Sequence, residues 1–134
     1  MTIGGHLYAV GSLYCGTSTI NLNGTGRQVL TVASNLYRIK IDKPSGKVYL
    51  DYYPIHILNK LSLIKGVIVC AGTALIKMAD NATTEGASNL SYVVGPFTKI
   101  GDEAFTFPLG DTTLPDTSAY HPLSLSATAA TTNS

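Results

Sequence analysis

Between Leu36 and Ala79 the chain repeats one pattern: a few residues of strand-forming sequence, then a very short turn. Leu36-Tyr-Arg-Ile-Lys-Ile41 alternates apolar and polar residues with period two, as a strand with one buried face requires. Lys47-Val-Tyr-Leu50, Ile55-His-Ile57, Leu61-Ser-Leu63, Val67-Ile-Val-Cys70 and Ala74-Leu-Ile-Lys-Met78 follow. Pro44-Ser45-Gly46, Pro54, Asn59-Lys60, Lys65-Gly66 and Ala71-Gly72 punctuate them. A turn signal roughly every six or seven residues is too frequent for a β-sandwich, whose turns come about every 8–12 residues. It suits three short strands per coil and about 20 residues per coil, the rhythm of a parallel β-solenoid. Lys47–Leu50 and Val67–Cys70 lie 20 residues apart, and Leu36–Ile41 stands about one coil before Leu61–Ile64. No ladder of identical Asn or Gly residues at a fixed period stands out. A β-sandwich of short strands is the alternative. A single helix over residues 55–79 is opposed by Gly66, Gly72 and the β-branched run Val67-Ile68-Val69.

Upstream, Leu7–Val10, Thr19–Asn23 and Gln28–Val32 also read as strands. Composition agrees with an all-β chain. Charged residues are only 13% of 134, with a net charge of +1. Hydroxyls replace them: 11 Ser and 16 Thr. Such a chain is not a long helix or a charge-driven disordered tail, and it lacks the overall basic field of a nucleic-acid binder. Charge is uneven. Residues 1–26 carry none, all nine basic residues lie between Arg27 and Lys99, and only acids follow: Asp102, Glu103, Asp111 and Asp116. Cys15 and Cys70 allow one disulfide or none, and two free thiols are expected. The N-terminus shows no basic-then-apolar export signal, which leaves a cytosolic protein or a piece whose signal lies upstream. The most apolar window, Gly66 to Ile76, is too short to cross a bilayer as a helix, so no membrane span is expected.

A dense segment begins after the polar break at 80–89. It contains Gly95-Pro96-Phe97-Thr98-Lys99-Ile100-Gly101, then Phe105-Thr106-Phe107-Pro108-Leu109-Gly110, then Tyr120-His121-Pro122-Leu123. In order and spacing this resembles the Gly-Pro-x-x-Lys-x-Gly and Phe-x-Phe-Pro-x-Gly motif of secreted, adhesin-like cell-surface repeat modules of Bacteroidetes. The resemblance covers Asn35 to Leu125, about two thirds of the chain. It implies a β-helical stalk or repeat, export of a parent protein by the type IX secretion system, and an extracellular or cell-surface location. It also implies a structural role for the motif residues Gly95, Pro96, Lys99, Gly101, Phe105, Phe107, Pro108, Gly110, Tyr120 and Pro122. The residues themselves agree. Phe105 and Phe107 share one face of a strand, Pro108 ends it, and the glycines permit sharp turns. Such a segment would cap the open end of a solenoid.

Chemistry is sparse. His6, His56 and His121 share no metal-ligand spacing with a Cys or an acid, and no nucleophile elbow is present. Asp102-Glu103 and Asp111 with Asp116 are loop acids that lack a recognised calcium pattern. No cofactor is expected. Among eight tyrosines, Tyr52-Tyr53-Pro54 is the densest cluster and the candidate for stacking on a glycan.

The resulting expectation is an all-β parallel solenoid with a body over 1–94, a capping segment over 95–126 and a tail or linker over 127–134. Its expected function is that of a non-catalytic structural or adhesive module whose partners are glycans, other protein modules or further copies stacked by ends or edges. The rival reading is a fragment of a carbohydrate-active β-helix enzyme.

Overall fold

A computed structural model describes residues 1–11, 13–114 and 117–126. The strands are β1 (Thr2–Ile3), β2 (Leu7–Ala9), β3 (Thr19–Leu22), β4 (Gln28–Val32), β5 (Asn35–Asp51) and β6 (Ile55–Ala71). They continue as β7 (Ile76–Met78), β8 (Thr83–Glu85), β9 (Val93–Val94), β10 (Phe97–Lys99), β11 (Phe105–Phe107) and β12 (Leu123–Leu125). The described residues contain no helix.

All pairing between strands up to β10 is parallel, and it sorts into three faces. The first runs β1–β3–β5–β6–β8, with Ile20 beside Ile39 beside Leu61 and Leu22 beside Ile41 beside Leu63. The second runs β2–β4–β5–β6–β9, with Leu7, Leu30, Leu50 and Cys70 in one file. The third stacks Leu36 on Ile57 on Met78, and Ile55 on Ile76 on Phe97. This is a parallel β-solenoid of about 5 turns. The expected offset holds: Lys47 pairs with Val67 and Leu50 with Cys70.

Alternation puts one apolar residue of every two inside, and stacking aligns them coil over coil. The interior void lined by Ile41, Val48, Ile57 and Ile68 is only about 10 Å³, so the centre is filled by side chains and holds no channel.

Three expectations need correction. The strands of the central coils are not all short, since β5 and β6 each run 17 residues. Ladder pairing carries round the corners, with register shifts between Leu36 and Arg38, Ile41 and Asp42, and Asp42 and Lys47. Glycines do recur at a fixed period, though only Gly26 and Gly46 of this series stack on one another, a Cβ at Gly66 meeting Lys43 and Ile41 instead. Gly26, Gly46 and Gly66 stand 20 residues apart at the corner between the first and second faces. Gly46 has φ +76°, and a Cβ there would lie 2.4 Å from the Gly26 carbonyl oxygen. Only glycine lets the two coils approach so closely. The parallel stack also continues past Gly95, because Phe97–Lys99 pairs with Ile76–Met78. Parallel ladders need an unbroken edge, and that edge runs to an isolated parallel bridge between Val93 and Leu109. Residues 127–134 lie outside the described residues.

Candidate functional site

The motif residues gather at the C-terminal end. Phe105 is 8% exposed and belongs to the core. With Phe97 and Phe107 it forms an aromatic trio, the centroids 5.0 Å apart for Phe105–Phe107 and 5.6 Å for Phe97–Phe107, both edge-to-face. These rings plug the apolar interior where the coils end. Thr106 points outward, as alternation requires. Pro108 is buried and follows the last residue of β11.

The stop itself comes from elsewhere. β12 pairs antiparallel with β11, Phe105 facing Leu125 and Phe107 facing Leu123. An antiparallel strand occupies the edge that another parallel coil would need. Tyr120 and Pro122 lead into it. The Tyr120 amide donates to Asn89 Oδ1 at 2.9 Å, and Gly110 and Tyr120 form an antiparallel bridge. Pro122 is exposed.

Lys99 is the motif's polar staple. It faces inward at the end of β10, its side chain 5% exposed and its ammonium 5.5 Å from the Phe105 ring centroid. The amine donates to the Ala79 carbonyl at 3.1 Å, to the Ile100 carbonyl and to Glu103. Glu103 also accepts from the Asn81 amide at 2.9 Å. The hydrogen bond from Lys99 is the main reason the Glu103 carboxyl lies below its ordinary pKa. Gly95 and Gly110 are places of close approach. A Cβ at Gly95 would meet Cys70 Cβ at 2.6 Å, and one at Gly110 would meet the Tyr92 ring at 2.2 Å. At Gly101 a Cβ would collide with the Glu103 and Asp80 carboxylates. The Pro96 carbonyl accepts from the Ile76 amide at 3.2 Å, tying the corner to the coil before it.

Tyr52 and Tyr53 occupy the corner between the second and third faces. Asp51 pairs with Ala71, so Tyr52 sits one coil before Gly72 in the equivalent slot. Gly72 has φ +61° there, and Tyr52 has φ 67°. A bulky residue in the left-handed region is strained by about 1–2 kcal/mol. Yet the Tyr52 side chain packs little, being 67% exposed. Its carbonyl accepts from Thr73 Oγ1 at 2.5 Å, which holds the corner. Tyr53, 39% exposed, lines a shallow groove of about 240 Å³ with Ser34, Asn35, Pro54 and His56. The Tyr52 ring is not part of that lining. His56 faces outward between buried Ile55 and Ile57, as alternation predicts. Burial first, and the neighbouring Lys77 second, lower its pKa.

The first two faces meet over a buried polar network that the sequence reading missed. Lys43 is 1% exposed and donates to the Gly24 carbonyl and to Gln28 Oε1, each at 2.6 Å. Gln28, also 1% exposed, accepts from the Gly24 amide and donates to the Ile3 and Gly5 carbonyls. Lys43 shares the parity of Ile39 and Ile41, and that signal marks it as inward. Burial lowers its pKa.

Among the described residues no three His, Cys, Asp or Glu side chains lie together as a metal group. Cys15 and Cys70 are free, and both are half-buried. Asp111 accepts from the amide and hydroxyl of Thr113, while Asp116 lies outside the described residues. Among the described residues no helix is long and apolar enough to cross a membrane. No protein-family profile, curated protein or solved structure matches the chain.

Proposed function

We propose that this chain is a non-catalytic structural and adhesive module of a secreted bacterial surface protein, of the kind its Gly-Pro and Phe-x-Phe-Pro motif resembles. Its glycan contact is the Tyr52–Tyr53 corner. The observation that carries the reading is Tyr52. An aromatic ring stands in a left-handed slot that the next coil gives to Gly72, and it is left exposed. Stability alone favours glycine there. A ring retained against strain, beside a groove that offers Asn35, His56 and a second tyrosine, suits stacking on a sugar with hydrogen bonds to its hydroxyls.

A glycan array probed with the wild type, Tyr52→Gly and Tyr53→Ala tests this. Binding that both variants lose, at a thermal midpoint within a few degrees of wild type, supports the reading. Binding indifferent to both would sink it. A reducing-sugar assay on the same samples separates adhesion from catalysis, since product release would establish the enzyme reading. Association of copies belongs at the end opposite β12, where β1 and β2 each pair on one side only. Light scattering across concentration measures it.

A further inference from the structure

We propose that the corner between the first and second faces is a second binding site, and that its ligand is a linear anionic polysaccharide. The net charge of +1 hides a local field. Arg27, Lys43, Lys47 and Lys65 all belong to this corner, on three successive coils, Lys43 and Lys47 sharing the middle one. Gln28 pairs with Val48, so Arg27 and Lys47 are like charges on adjacent rungs, spaced by about 4.8 Å along the stack. Among the described acids, Asp42 lines the smaller trough and is bonded to Lys40 at 3.2 Å, and Asp111, next to the Thr112 of the larger trough, is held by Thr113. The ion pairs among the described residues involve Lys40, Lys60 and Lys99, and none involves the four corner cations. Arg27 instead lies over the Tyr49 ring at 4.4 Å. Lys43 contributes a charge from beneath the surface, held by the Gly24 carbonyl and the Gln28 amide with no carboxylate beside it.

Two open troughs of about 280 and 250 Å³ flank this row, and Lys43, Pro44 and Lys65 line both. Their walls supply what an acidic sugar needs besides cations. Asn89, Ser45 and Thr112 line the larger trough with the apolar Leu90 and Tyr92. Asn21 and Asn23 line the smaller. Asn21 Oδ1 is buried and has no hydrogen-bond partner in the structure. Cations spaced along an axis, with amide and hydroxyl groups between them, fit a polymer that alternates carboxylates or sulfates with hydroxyls. They fit a continuous phosphate backbone less well. The site rests on the same glycan-binding reading but lies on a different edge of the prism from Tyr52, so each can fail alone.

The test is biolayer interferometry of the whole chain against immobilised polygalacturonate, heparin, neutral dextran and a duplex DNA. Polygalacturonate or heparin should bind, should weaken with added salt, and should exceed dextran. Preference between the two identifies carboxylate or sulfate as the recognised group. Each lysine near a dense anionic ligand is worth about five-fold, so Lys47→Ala with Lys65→Ala should weaken binding ~25-fold. Asn21→Ala, which leaves the charge alone, should weaken polysaccharide binding about five-fold and DNA binding not at all. Lys77→Ala, on the third face, should leave affinity unchanged. The proposal is overturned if neither acidic polymer binds, if the double variant binds as well as wild type, or if DNA binds as tightly as the polysaccharide. Urea denaturation of each variant checks that the fold persists.

Discussion

Replacing Gly46 by alanine tests the close stacking of Gly46 on Gly26. Gly46 has φ +76°, which an L-residue adopts at about 1–2 kcal/mol. The new methyl would also fall 2.4 Å from the Gly26 oxygen and 2.6 Å from its carbonyl carbon. Relief requires the two coils to part locally by nearly 1 Å, which weakens one or two ladder hydrogen bonds of about 1 kcal/mol each. Lower entropy of the unfolded alanine chain returns about 0.4–1 kcal/mol. The net loss is about 2–3 kcal/mol, or roughly 8–10 °C in midpoint for a chain of this size. Two controls isolate the terms. Gly72 shares a left-handed backbone, φ +61°, but the nearest atom to its added Cβ is Asp51 Oδ1 at 3.9 Å, so Gly72→Ala should cost only about 1 kcal/mol. Gly26 has no atom within 4 Å and no positive φ, so Gly26→Ala should be neutral or slightly stabilising. Urea titrations followed by circular dichroism, with m-values checked for two-state behaviour, rank the three. If Gly46→Ala is no more damaging than Gly72→Ala, close coil stacking at this corner is refuted.

Truncating Phe105 to alanine, at a site 8% exposed inside the aromatic trio, should destabilise by about 3–5 kcal/mol, whereas Thr106→Ala should change stability little; thermal melts compare them. Lys43 has a lowered pKa in the folded state, so the unfolded chain binds more protons above that value. The penalty for burying its charge is full below the folded pKa and fades as pH rises toward the unfolded value of about 10.4. Wild type should therefore gain stability relative to Lys43→Met as pH rises above neutral toward the unfolded value. Cys70, whose thiol burial pushes up to about 11, has the opposite slope, but it is present in both proteins and cancels; a pH-independent difference would show that Lys43 is not buried as a cation.

Period-two alternation in Leu36–Ile41 and the 20-residue offset of Lys47–Leu50 were enough to place the inward residues and the coil-to-coil partners. These are local signals, and stacking preserves them. Corner geometry was much less legible. Gly26, Gly46, Gly66 and Gly86 keep a strict spacing, but of these only Gly26 and Gly46 stack on one another. The offset grows to 23 residues between Ser62 and Glu85, and a Cβ at Gly86 meets the Leu63 oxygen instead. Unequal coils therefore hide the stacking. The Phe-x-Phe-Pro segment was recognisable as the end of the stack and Leu123-Ser-Leu125 as part of one more strand, yet the antiparallel pairing of the two was not. Leu123 and Leu125 are more than half exposed, and antiparallel pairing leaves no periodic trace. Tyr52 stood out as part of an aromatic cluster, but its left-handed backbone is invisible until its equivalence with Gly72 is known. The cationic corner is split across Arg27, Lys47 and Lys65, and only the coil brings those residues to one edge.

The three-faced stack also bears on how the chain acquires its structure. Parallel sheets ordinarily join distant segments, which makes them slow to form. Here the paired strands are about one coil apart in sequence, and even the bond that anchors Tyr120 to Asn89 spans only 31 residues. Each coil can therefore be laid on its predecessor as soon as it becomes available, with no long loop to close. A chain delivered from its N-terminus, by a ribosome or through a narrow export pore, could assemble in the order in which it emerges. In that order β12, the strand that ends the stack, is also the last to arrive.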